Sequence, residues 1–148
     1  MKSYAAIFLI MLMLWSCKRA RWQDNIADFK ELQNPAFALQ VMKMKNKDTD
    51  TVSLNLRVRL YPSAGETERL SPDQKNGLSY GMDSCFFLFE GAQRIKPAFV
   101  QAVSNGVRNS FEYLVSFEPV RPVSPVNFRL VYQGKYLDGK QYNLTLNK

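Results

Sequence analysis

From residue 35 onward the chain alternates apolar and polar positions. In "TVSLNLRVRLY", Val52, Leu54, Leu56, Val58 and Leu60 take every second place, and Ser53, Asn55, Arg57, Arg59 and Tyr61 fill the gaps. Successive side chains of a strand point to opposite faces, so this period of two predicts a strand over Thr51–Tyr61, buried on one side and solvated on the other. "FALQVMKM" (Phe37–Met44) predicts its neighbour, with the polar "NKDTD" (Asn46–Asp50) as a hairpin-like loop. "CFFLFE" (Cys85–Glu90) is almost continuously apolar, which suits a central strand covered on both faces. "GAQRIKP" turns the chain back into "AFVQAV", and the loop "SNGVRN" leads to three more alternating runs. These are "SFEYLVSFEP" (Phe111, Tyr113, Val115, Phe117), "VNFRLVYQ" (Val126, Phe128, Leu130, Tyr132) and "KQYNLTL" (Tyr142, Leu144, Leu146), with "LDGK" as a turn between the last two.

Helical signals are brief. In "DNIADFKELQNP", Ile26, Phe29 and Leu32 are three residues apart behind Asp24, which predicts a short helix with Asp24 as N-cap, stopped at Asn34-Pro35. Within the long connection after Tyr61, Ser71-Pro72-Asp73-Gln74 has the pattern of a capping box, with Gly77 as the stop. Strands and helices never alternate in a βαβ rhythm. The expected fold is therefore all-β: an Ig-like antiparallel β-sandwich of about seven or eight strands over residues 35–148, with one or two short helices.

Composition agrees with a globular domain, at 46% apolar and 22% charged residues. With the first sixteen residues set aside, what remains is one domain of ordinary size. Histidine is absent. That removes the usual general base near neutral pH, the commonest metal ligand and any Ser/His or Cys/His nucleophile pair. The net charge of +7 is dispersed along the chain. Dispersed charge fits a solvated surface or one that faces an anionic membrane, and no nucleic acid partner is expected.

The N-terminus decides location. Tyr4 to Trp15, "YAAIFLIMLMLW", is an uncharged apolar run with the length of a signal-peptide core and too short to cross a bilayer comfortably. It ends in Leu14-Trp15-Ser16-Cys17, which resembles the lipobox of bacterial lipoproteins: an aliphatic residue, a small residue just before the cysteine, then the cysteine itself. Trp15 departs from the small residue usual at its place. The resemblance implies that residues 1–16 are a signal peptide cleaved after Ser16. It further implies that Cys17 is acylated and that the mature chain is held on a bilayer by its lipid, with residues 17–34 as tether and short helix. An uncleaved signal anchor, favoured by Lys18, Arg19 and Arg21 after the run, and a secretory peptide with an incidental cysteine remain alternatives. Lys18 is the second mature residue and no acidic run follows Cys17; by the same resemblance the anchor lies in the outer membrane and the domain faces the periplasm. Residues 85–148 also resemble, in strand order, bacterial Ig-like domains of unknown function found in lipoproteins.

Candidate chemistry is sparse. Asp83-Ser84-Cys85 is the most reactive-looking cluster, yet with no histidine and two phenylalanines following, Cys85 is expected to be a buried, inert thiol. Asp48/Asp50 and Glu66/Glu68 are carboxylate pairs without calcium-loop spacing. Arg57 and Arg59 point the same way on the polar face of the best strand and form a candidate partner or anion patch. Tyr80 and Met82 mark a candidate contact loop. No catalytic set, metal site or cofactor is expected. The expected role is a non-catalytic protein-binding or structural accessory of the cell envelope, such as one serving a secretion, conjugation or motility machine. The alternative is a carbohydrate or small-ligand binding sandwich using Tyr61, Tyr80 or Tyr132 as an aromatic platform.

Overall fold

A computed structural model describes residues 22–46, 53–118 and 127–148. The expected signal peptide, Cys17, Lys18, Asp48 and Asp50 lie outside the described residues. Nine strands stand among those described: β1 (Phe29–Gln33), β2 (Phe37–Lys43), β3 (Leu54–Pro62), β4 (Phe86–Glu90), β5 (Gln93–Ile95), β6 (Phe99–Val103), β7 (Phe111–Phe117), β8 (Phe128–Gln133) and β9 (Gln141–Thr145). Helices α1 (Ala64–Arg69) and α2 (Pro72–Tyr80) fill the connection between β3 and β4.

The strands form two antiparallel sheets, β1-β2-β3-β7-β6 and β5-β4-β8-β9. With β1 left aside, the first sheet runs A-B-E-D and the second C′-C-F-G in the lettering of the immunoglobulin sandwich, and the letters follow chain order. The all-β, Ig-like expectation therefore holds. The two strands beyond the alternating runs are β1 and the three-residue β5.

Burial follows the alternation. Along β3 the pattern is strict, and Leu54, Leu56, Val58 and Leu60 are each at most 2% exposed. Facing them from β4 and β8 are Phe86, Leu88, Leu130 and Tyr132. Aromatic edges knit the middle: Phe37 meets Tyr132 at 5.6 Å and Phe86 meets Tyr113 at 5.7 Å between ring centroids. Cys85 is fully buried in the same core. Burial pushes its thiol above the ordinary value, which makes thiolate scarce and agrees with an inert side chain.

The predicted helix at Asp24–Leu32 is corrected. Trp22–Asn25 is a single 3-10 turn, and Phe29–Gln33 is a strand paired residue for residue with β2. Asn34 explains the difference. Its Oδ1 accepts hydrogen bonds from Ala36 N (2.8 Å) and Phe37 N (2.9 Å), closing a tight hairpin where a helix stop was expected. So short an isolated helix is marginal, and the neighbouring strand offers partners to the backbone groups along one side of the segment.

Because β1 doubles back on β2, the chain enters the sandwich at the end opposite its helices. There Ala27 N donates to Leu146 O (2.8 Å), and Lys148 N to Asn25 O (3.0 Å). Lys43 Nζ donates to the carbonyls of Gln23 (3.1 Å) and Ile26 (2.9 Å) and pairs with Asp28 at 3.1 Å. At the other end lie α1, α2, the β6–β7 loop and the β8–β9 hairpin, the B–C, D–E and F–G connections of the immunoglobulin lettering.

The capping box forms as expected: Ser71 Oγ accepts from Gln74 N, and Gln74 Oε1 accepts from Ser71 N. Gly77, however, does not stop α2, which runs on to Tyr80 and is capped by Gly81. Gly77 is there for space, since a Cβ on it would sit 2.3 Å from the Tyr136 ring. The Tyr136 hydroxyl donates to Gly81 O (3.2 Å), and the Tyr113 hydroxyl to Leu78 O (2.5 Å), so β8–β9 and β7 both hold the helix. Gly77→Ala should lower stability by about 1–3 kcal/mol despite the better helix former, because the ring must move. Gly65→Ala on α1, with open space around it, should raise stability by about 0.4–1 kcal/mol. Urea unfolding of both variants checks the pair of opposite signs.

Candidate functional site

On the outer face of the five-stranded sheet, register brings Arg59 directly opposite Glu112 and Arg57 opposite Leu114. Glu112 is 3% exposed, yet it carries a carboxylate. Arg59 Nε donates to its Oε2 at 2.8 Å, and Arg57 Nε lies 2.9 Å from Oε1, close in distance but out of line for a hydrogen bond. Asn105 Nδ2 reaches the same Oε2 at 3.4 Å and Ser110 Oγ at 2.7 Å. Burial alone would push the Glu112 carboxyl up. The hydrogen bonds from Arg59 and Asn105, with the two guanidinium charges, outweigh it and hold the group below the usual carboxylate range. Arg57 and Arg59 are thus half-exposed partners of a buried acid, and much of their charge is spent inside the sheet.

The expected contact loop divides. Tyr80, in the last turn of α2, is 85% exposed, whereas Met82 is 2% exposed and plugs the end of the core. Between Tyr80 and the β6–β7 loop opens a cleft of about 480 Å³, lined by Tyr80, Asn105, Val107, Ser110 and Glu112 among others. Val107 is 56% exposed at its rim. The loop is shaped by Asn105 Oδ1 accepting from Val107 N (3.0 Å) and by left-handed backbone at Gly106 and Asn109. The three tyrosines considered as a platform are not equivalent: Tyr132 is buried, Tyr61 half-buried, and only Tyr80 exposed.

Glu66 and Glu68 lie on α1, where Glu66 pairs with Arg69 at 3.7 Å. Among the described residues no group of three or more acidic, Cys or His side chains is placed to hold a metal ion. No described helix is long and apolar enough to cross a membrane.

On the outer face of the four-stranded sheet, Arg94 lies over the Phe87 ring at 3.7 Å and Arg129 over Phe89 at 4.9 Å from the centroid. Phe87 and Val131 are 8% and 2% exposed, but they stand apart from the main core cluster. Sequence reasoning missed this face because "CFFLFE" reads as buried on both sides without saying what covers the second. It missed Glu112 too, although a lone acid in an alternating strand, opposite an arginine strand, was the available signal.

No protein-family model matches the chain, and neither a curated protein nor a solved structure matches it.

The Glu112 cluster carries a pH dependence. Its folded value lies below the ordinary 4.5, so its contribution is complete above about pH 4.5 and is lost as pH falls through the lower folded value. Glu112→Gln should cost about 1–3 kcal/mol at neutral pH, and its stability should fall less steeply in acid than the parent's. Unfolding free energies measured from pH 7 down to pH 3 decide this; parallel acid limbs would refute the role given to Glu112.

Proposed function

We propose that this chain is a lipid-anchored protein of the bacterial cell envelope whose β-sandwich binds other proteins without catalysis. Cys17 is the lipid attachment point, and the domain faces the periplasm from the outer membrane. The observation that carries the proposal is the Leu14-Trp15-Ser16-Cys17 sequence behind an apolar run of signal-peptide length.

The way the domain is entered supports it. The N-terminal segment joins the sandwich at the end held by Lys43, Leu146 and Lys148, and the exposed Tyr80 and Val107 lie at the opposite end beside the cleft. A tether at one end and amphipathic contact residues at the other is the arrangement an envelope accessory needs to reach a protein partner, for instance in a secretion, conjugation or motility machine. The carbohydrate alternative has less behind it, since Tyr132 is buried away from Tyr80.

Metabolic labelling with palmitate and mass analysis of the N-terminus test the anchor. The parent should carry label and begin at an acylated Cys17, and Cys17→Ser should carry none. A parent that associates with membranes unlabelled and uncleaved would leave the signal anchor as the correct account.

A further inference from the structure

The two outer faces of the sandwich differ in charge. By register, the outward positions of the five-stranded sheet hold Glu31, Arg57, Arg59 and Glu112, two of each sign, with both arginines committed to Glu112. The outward positions of the four-stranded sheet hold Arg94 and Arg129 and no carboxylate among the described residues. Neither arginine has an ion-pair partner among the described residues. Both residues are exposed, and each guanidinium carbon lies over a phenylalanine ring. A guanidinium held against a ring and exposed to solvent keeps N–H donors free of protein partners, and such a planar group can receive phosphate oxygens in pairs.

Their place in the fold is specific. Arg129 and Arg94 flank Phe89 in adjoining strands, one ladder step from Phe128. Phe128 N donates to Asn147 Oδ1 (2.6 Å), and Phe128 O accepts from Leu146 N (2.8 Å). Leu146 O in turn receives Ala27 N. The arginine face therefore borders the end at which the described chain begins, at Trp22, and Lys18, Arg19 and Arg21 precede Trp22 in sequence.

We infer that this end of the four-stranded sheet rests on anionic phospholipid head groups, with Arg94 and Arg129 as the phosphate contacts. The inference deepens the membrane-tethered reading and rests on it. The tether brings the face to the bilayer; charge complementarity with anionic head groups chooses which face turns toward it. The balanced outer face of the five-stranded sheet then points away, and the cleft beside Tyr80 stays free.

The full chain, reconstituted in vesicles rich in phosphatidylglycerol, provides the test. A fluorophore is attached at Thr145→Cys, which stands beside Arg129, or at Gln101→Cys on the other sheet; Cys85 is buried and the chain used carries its lipid on Cys17, so neither native cysteine competes for label. Lipids bearing a nitroxide on the head group serve as quencher. Quenching should be several-fold stronger at position 145 than at 101. The difference should vanish in phosphatidylcholine vesicles, at high salt, and in the Arg94→Ala/Arg129→Ala double variant, whose fold is checked by its unfolding curve. Equal quenching at the two positions, or a difference untouched by the double variant, overturns the inference while leaving the tether standing. A chain that does not float with vesicles at all overturns both.

Discussion

Strict alternation along β3 is the constraint on which the rest of the molecule depends. Leu54, Leu56, Val58 and Leu60 must all face the second sheet, because a slip of one residue would turn four apolar side chains to water and two arginines into the core. That single requirement sets register on both sides of the strand. It places Val58 against Tyr113 and Leu60 against Phe111, and on the outside it sets Arg59 directly against Glu112. The buried acid is thus a consequence of core packing. A carboxylate forced to 3% exposure persists only because the same register supplies guanidinium and amide donors to it.

The strands were legible because burial on one face writes a period of two into the residues, and β3, β7, β8 and β9 all carry it. The capping box at Ser71 was legible for a related reason, since its bonds are local and need no distant partner. What failed was whatever depends on residues far away in the chain. Ile26, Phe29 and Leu32 keep helical spacing, but pairing with β2 through the Asn34 turn overrides it. Gly77 has the composition of a stop, yet its reason is Tyr136, fifty-nine positions on, whose ring needs the missing side chain. Of the candidate contact residues, Tyr80 and Met82 are two apart in sequence and separated by a helix terminus, so one lies in solvent and the other in the core.

The two sheets also solve the problem of their outer surfaces differently. One neutralises its arginines with a buried glutamate; the other spreads them over phenylalanine rings, each contact worth about 0.5–1 kcal/mol at an exposed site. The first solution yields a face with little net charge and the second a face whose cationic heads stay available. A chain with a net charge of +7 thereby acquires a direction, although its basic residues are scattered along the sequence.

The hairpin that adds β1 has a consequence of parity. Each strand an N-terminal segment contributes to an antiparallel edge moves the chain's point of entry from one end of the sandwich to the other. An eight-stranded version beginning at β2 would enter beside α1, α2 and the β8–β9 hairpin, and any attachment through its N-terminus would bury those connections against whatever it was attached to. The ninth strand inverts the domain. Five residues and an asparagine turn decide at which end the chain enters the sandwich.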